Sequence, residues 1–253
     1  MHFESRLLQW LQRSPSFAVL TGAGVSAESG IPTFRDKTIG LWERFDAAEL
    51  ATPQAFSRDP ALVWGWYEWR RRLVRHAQPN AAHHALALWQ SRVSHFTLIT
   101  QNVDDLHERA GSREVLHLHG QLTSSFCEAC RHPMQIDEAE DSPEDGRRME
   151  PPRCPLCGAR IRPGVVWFGE GLPQAEWNAA LEAARGCDVF MCVGTSALVQ
   201  PAASLTQVAI DAGAHTVQVN PNATPYDGAV DFALKGAAGT VLPELLRRTY
   251  AKG

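Results

Sequence analysis

Two cysteine pairs constrain this chain more than any other feature. Cys127-x-x-Cys130 and Cys154-x-x-Cys157 flank the stretch 131–153, which holds an acidic, proline-containing run over 137–152. Four thiolates in that pattern give Zn²⁺ a closed tetrahedral shell with no position left for water, so one structural ion is expected rather than a catalytic one. Such an ion supplies on the order of 10 kcal/mol of folding free energy in a small module. The intervening length matters little, because closing a longer loop costs only slightly more. The second pair, Cys154-Pro-Leu-Cys157-Gly158, reads as a tight knuckle turned by its glycine. Two disulfides are the competing reading, and they belong to oxidising compartments.

The compartment is read from the N-terminus. Residues 1–15 set Glu4 among Phe3, Leu7, Leu8 and Leu11 at helical spacing, unlike the charged-then-apolar layout of a secretory leader. No apolar run approaches the roughly 18–20 residues that span a bilayer. A cytoplasmic chain with reduced thiols and no membrane partner is therefore expected. The net charge of −4 argues against a nucleic-acid partner, since phosphate binding needs a basic face. Cys187 and Cys192, on or beside an apolar run, read as core residues rather than ligands.

With 253 residues the chain can build one sizeable core, or one core and a satellite. Short apolar runs recur at 17–20, 96–99, 188–193 and 216–219, each followed by a polar or glycine-rich loop, with helical stretches such as 174–185 between them. Strands alternating with helices predict an α/β fold, a parallel sheet with helices on both faces. Ligands in such folds sit at the carboxyl ends of the strands. Two segments break the rhythm: 46–78, rich in Trp, Arg and Ala, reads as helical, and 126–160 carries the cysteines. The expected organisation is one catalytic domain with a large lobe from about 1–45, 80–122 and 162–253. A smaller zinc-ribbon and helical lobe would come from insertions at about 46–79 and 123–161.

The first apolar run leads into Gly22-Ala23-Gly24-Val-Ser-Ala27. Glycines there let the backbone approach a pyrophosphate, whose charge is met by N–H groups at the next helix start. The acidic residue that ordinarily holds a ribose about 20 positions on has no strand to carry it, because the region from Phe34 to Glu43 reads as loop. The pattern points to a dinucleotide site unlike that of ordinary dehydrogenases.

Three further stretches narrow the reading: Thr100-Gln-Asn-Val-Asp104-Asp-Leu-His107, Leu116-His-Leu-His119-Gly120 and Gly194-Thr-Ser196. Together with the segment from Gly22 to Arg35 and the two cysteine pairs, they closely resemble the sirtuin family of NAD-dependent protein deacylases. The resemblance runs in order from about Phe17 to Pro243. It implies a Rossmann-like large lobe, a zinc-bearing small lobe and NAD between them. It further implies that Gly22, Ala23, Gly24, Phe34 and Arg35 contact NAD, and that Gln101, Asn102, Val103 and Asp104 surround the nicotinamide and its ribose. Gly194, Thr195, Ser196, Asn220, Pro221, Asn222 and Ala238 would hold the adenosine half. His119 corresponds to the general base, with Asn102 and Asp104 assisting. On spacing alone His117 is an equal candidate, and only the motif separates the two. His83, His84, His95 and His107 read as surface or packing residues, and Asp105 as a solvated neighbour.

The chemistry suits these residue types. Expulsion of nicotinamide leaves positive character on the ribose carbon, which an acyl-lysine carbonyl oxygen can attack. A base must then deprotonate a ribose hydroxyl, a task fitted to histidine near neutral pH. The products would be nicotinamide, free lysine and O-acyl-ADP-ribose. Residues 165–170, with Val165, Val166, Phe168 and Gly169, resemble the strand that pairs with the substrate peptide.

In Trp64-Gly-Trp-Tyr67-Glu-Trp-Arg70, Tyr67 and Arg70 lie three apart on one helix face. A hydroxyl and a guanidinium presented together suit a carboxylate, and the pair resembles the Tyr-x-x-Arg of desuccinylating and demalonylating sirtuins. Ala55 matches the small residue that leaves room for a longer acyl chain. Removal of succinyl and malonyl groups with some deacetylation is therefore expected from a monomer acting on acylated lysine in proteins. The alternatives are a mainly deacetylating enzyme, a mono-ADP-ribosyltransferase, and a non-catalytic zinc-ribbon binder or NAD sensor.

Overall fold

The computed structural model describes residues 2–32, 46–135 and 146–251. Its strands in chain order are β1 (Ser16–Thr21), β2 (His95–Thr100), β3 (Leu116–His117), β4 (Gly120–Cys127), β5 (Ile161–Val165), β6 (Val189–Val193), β7 (His215–Val219) and β8 (Phe232–Leu234). The helices are α1 (Ser5–Arg13), α2 (Ala23–Ala27), α3 (Ala47–Leu50), α4 (Pro53–Arg58), α5 (Pro60–His76), α6 (Ala81–Gln90), α7 (Leu106–Arg109), α8 (Gln174–Gly186), α9 (Ser204–Asp211) and α10 (Ala238–Thr249). No described helix is long and apolar enough to cross a membrane.

All four apolar runs are strands of one six-stranded sheet ordered β3-β2-β1-β6-β7-β8, and every pairing in it is parallel. Side chains alternate across a strand, and β1 divides accordingly. Phe17 and Val19 enter a core with α1, α6 and α10, whereas Ala18 and Leu20 enter a second core with α8 and α9. Helices therefore cover both faces, as the near-continuous apolar strands require. The edge strands β3 and β8 are two and three residues long, too short to leave a period in the sequence.

A third core gathers α3, α4 and α5 against β4 and β5, which pair antiparallel as a separate ribbon. Asp59 opens α5 by accepting the Leu62 N–H at 3.1 Å, and Pro60 follows at the first helical position, where its missing N–H costs nothing. Trp64, Trp66, Tyr67 and Trp69 of α5 are all buried. Tyr67 thus sits within a packed core rather than on an open helix face.

Candidate active site

Strand order reverses between β1 and β6, the topological switch point at which open α/β sheets bind ligands. The loops leaving those strands touch backbone to backbone there. Gly24 N–H donates to the Gly194 carbonyl at 2.8 Å, and a Cβ on Gly24 would lie 2.7 Å from that oxygen. Gly194 has φ +62°, and a Cβ on it would come within 2.6 Å of the Val25 nitrogen. Only glycine fits at both places. Ala23 opens α2 at this junction. Phe34 and Arg35 lie outside the described residues.

The loop after β2 supplies a buried polar network. Asn102 Nδ2 donates to Ser26 Oγ at 3.0 Å, and Ser26 donates in turn to Asp104 Oδ2 at 3.0 Å. Asp104 also accepts the Leu106 N–H, yet burial pushes its pKa above the ordinary carboxylate value. Gln101 Nε2 reaches Thr195 Oγ1 at 3.0 Å, and Asn220 Nδ2 donates to the Thr195 carbonyl at 2.6 Å. Asn222 N–H donates to Asn220 Oδ1, beside Pro221. Gly22, Gln101, Asn102, Asp104, Gly194, Thr195, Ser196 and Asn220 thus gather at the carboxyl ends of β1, β2, β6 and β7. Val103 is tied in through its carbonyl, which accepts the Leu122 N–H, and buried Ala238 begins α10.

The structure separates the two histidines that spacing leaves equal. His117 is buried, with Nε2 2.6 Å from Glu108 Oε1 and Nδ1 3.3 Å from the Asn102 carbonyl. His119 is half-buried, and its Nδ1 lies 2.9 Å from the Gln101 carbonyl. A carbonyl can only accept, so Nδ1 carries the proton and Nε2 the lone pair. Among the described residues Nε2 has no hydrogen-bond partner. Burial lowers the pKa of His119 and so favours the neutral imidazole, against the opposing effect of its bond to the Gln101 carbonyl.

Of the packing histidines, His83 and His107 are fully buried. His107 Nε2 is 3.0 Å from Thr21 Oγ1. His83 Nδ1 accepts the Asn80 N–H at 3.2 Å, so its Nε2 faces Ser26 Oγ at 3.4 Å as a donor. Sequence reasoning passed over Ser26 and His83 because their partners are dozens of residues away. Asp105 is half-exposed and pairs with Arg109 at 3.5 Å.

On the other side, α5 presents Tyr67 and, one turn on, part-buried Arg70. Burial depresses the guanidinium pKa, while Tyr67 and then Asp104 act to raise it. Asp104 is therefore within electrostatic reach of Arg70. Ala55 is buried in α4, its N–H capped by Thr52 Oγ1 at 3.1 Å.

The strand expected over 165–170 is not continuous in the structure. β5 ends at Val165. Beyond it the Val166 N–H goes to the His119 carbonyl, the Phe168 N–H to the Ala51 carbonyl and the Trp167 N–H to Glu170 Oε2. Gly169 turns at φ +88°. Three of its N–H groups are thus bonded within the chain, and beyond Val165 the segment is a tied loop rather than a strand. Phe168 at its tip is 46% exposed.

The four Sγ atoms of Cys127, Cys130, Cys154 and Cys157 lie within 4.8 Å of one another. Separations of 3.4, 3.6 and 3.7 Å among them are far too long for disulfides, whose S–S bond is about 2 Å. They approach the roughly 3.8 Å edge of a tetrahedron with Zn–S bonds near 2.3 Å. The donor set fits one structural zinc. Cys192 is buried in the sheet and Cys187 half-buried beside it, both away from the cluster.

Comparison with known proteins gives one consistent family. The Sir2 family profile matches residues 22–201. A Methylococcus capsulatus protein described as an NAD-dependent protein deacylase is 56% identical over 248 residues, 98% of this chain and 97% of the relative. Among solved structures, a Sir2 homologue–NAD complex is 47% identical with a TM-score of 0.89, over 98% of this chain and 94% of that one. A Sir2 protein bound to acetylated peptide is 28% identical with a TM-score of 0.85, over 97% of this chain and 98% of that one.

Proposed function

This chain belongs to the Sir2 family, and from that premise we propose that it is an NAD-dependent protein-lysine deacylase that prefers acidic acyl groups. The backbone contact between the Gly22–Gly24 and Gly194–Thr195 loops, and the amide and carboxylate groups beside it, fit a dinucleotide laid across the switch point. NAD supplies a ribose carbon made electrophilic by loss of nicotinamide.

This chain's own residues would then act as follows. Gln101, Asn102 and Asp104 orient the nicotinamide half, Ser26 holding the last two in register. His119 Nε2 removes a proton from a ribose hydroxyl, while Nδ1–H stays anchored on the Gln101 carbonyl. Val165, Val166, Phe168 and Gly169 border the entry of the peptide, and Ala55 gives room to the acyl chain. The zinc organises the cysteine module and takes no part in the chemistry, since four thiolates close its shell.

One observation carries the acyl preference. Arg70 and Tyr67 stand one turn apart on α5, and Arg70 lies within electrostatic reach of the buried Asp104. A succinyl or malonyl carboxylate between them would meet a guanidinium fork and a phenol donor. Kinetics on acetyl-, malonyl- and succinyl-lysine peptides with NAD are expected to favour the acidic groups, and Arg70→Met is expected to remove that preference. An unchanged preference in the variant would sink the carboxylate reading. Recovery of O-acyl-ADP-ribose separates deacylation from ADP-ribosylation of protein. The same proposal takes the chain as a cytoplasmic monomer, which light scattering on eluted protein checks for the oligomeric state.

A further inference from the structure

The Tyr67 hydroxyl has one hydrogen-bond partner among the described residues, and that partner is a donor. Its oxygen accepts the Trp167 Nε1–H at 2.9 Å, and among the described residues it meets no acceptor for its own hydrogen. A phenolic hydrogen prefers the ring plane and has two positions there, and a donor seated on one side leaves the other. The hydroxyl of this buried residue is therefore turned away from Trp167 as a donor. Burial also raises the Tyr67 pKa, which keeps that donor protonated.

Trp167 itself is held on every side. The residue is 2% exposed, the Arg162 guanidinium lies 3.6 Å from the ring centroid, and Phe56 packs at 5.2 Å. Arg162 is fixed by a two-pronged bond to Glu170, Nη1 to Oε1 at 2.7 Å and Nη2 to Oε2 at 2.8 Å. Glu170 Oε2 also takes the Trp167 backbone N–H at 2.8 Å. Glu170, Arg162, Trp167 and Tyr67 thus form one relay from the tied loop after β5 to α5. Packing alone would be served by phenylalanine; the indole N–H adds only the bond to Tyr67.

We propose that Trp167 is a specificity-positioning residue, setting the Tyr67 hydroxyl as a donor to the carboxylate of an acidic acyl-lysine substrate. The inference rests on the acidic-acyl reading above and goes beyond it. An acetyl group offers no carboxylate, so the relay matters only for acidic substrates.

The test is Trp167→Phe, which keeps the stacked ring and removes the N–H. A neutral hydrogen bond is worth roughly a factor of 3–10, so KM for succinyl-lysine peptide is expected to rise by about that factor. KM for acetyl-lysine peptide is expected to hold. In a Tyr67→Phe background the same change should add nothing. Equal losses on both peptides, or a full additional loss in that background, would overturn the inference. Arg162→Lys, which keeps the charge but not the fork, is the second variant and decides the matter should Trp167→Phe not fold. It is expected to raise the succinyl KM selectively, and an unchanged succinyl KM would count against the relay. If Tyr67→Phe itself left acyl preference intact, the carboxylate reading would fall first, an outcome distinct from failure at Trp167 alone.

Discussion

At the scale of single residues, orientation does what composition cannot. His117 and His119 share a motif, yet one is held by Glu108 while the other keeps Nε2 clear of any described partner. Removing His119 as His119→Tyr is expected to cut deacylation by about 10²–10⁴-fold, the usual worth of a positioned base, measured as nicotinamide release dependent on acyl-peptide. The burial that lowers its pKa also fixes a pH dependence. As the proposed base His119 must be neutral, so activity is expected above the lowered pKa and should be lost as pH falls through it. The acid limb of kcat/KM should therefore lie below the ordinary histidine value of about 6.5; a limb above neutrality would contradict the assignment. The motif naming His119 was legible in the sequence. The contact that orients it was not, since the Gln101 carbonyl lies 18 residues back in the chain.

At the scale of elements, α5 must be fixed against the ribbon if Tyr67 and Arg70 are to face the site. The buried Arg71 does this: Nε donates to the Leu122 carbonyl at 2.7 Å, Nη2 to Ser125 Oγ at 2.8 Å, and Nη1 pairs with buried Glu68. Removing one member of a buried pair costs about 3–5 kcal/mol, because the other charge is left unpaired. Arg71→Met is expected to lower Tm by roughly 10 °C in a chain of this size, and Glu68→Gln added to it should recover part of that loss. A melt within 2 °C or so of the parent would mean the pair is not the anchor of α5. The helical character of 46–78 was readable from its residues, but its division into α3, α4 and α5 depends on the caps at Thr52 and Asp59. The strand expected to run to residue 170 ends at Val165. Val-Val-Trp-Phe has strand character, and only the tertiary fold supplies the carbonyls of His119 and Ala51 that divert its N–H groups.

At the scale of the whole molecule, the cysteine module closes the far end of the third core, where Cys127 and Cys154 pack with Ile161 and Val165. One zinc per chain is expected by elemental analysis. Cys154→Ser should lose that ion and destabilise the protein by several kcal/mol, because metal binding and folding of such modules are coupled. Full zinc-free stability would exclude the structural role. The sequence by itself determined the alternation of strand and helix, the glycine loop and the four-thiolate set, because each is written in local periodicity or fixed spacing. Tertiary structure alone decided the strand order that creates the switch point, the carbonyl that orients His119, and the indole that meets the Tyr67 hydroxyl. Those depend on contacts between residues far apart in the chain, and no local pattern encodes which distant carbonyl, carboxylate or indole a side chain will meet.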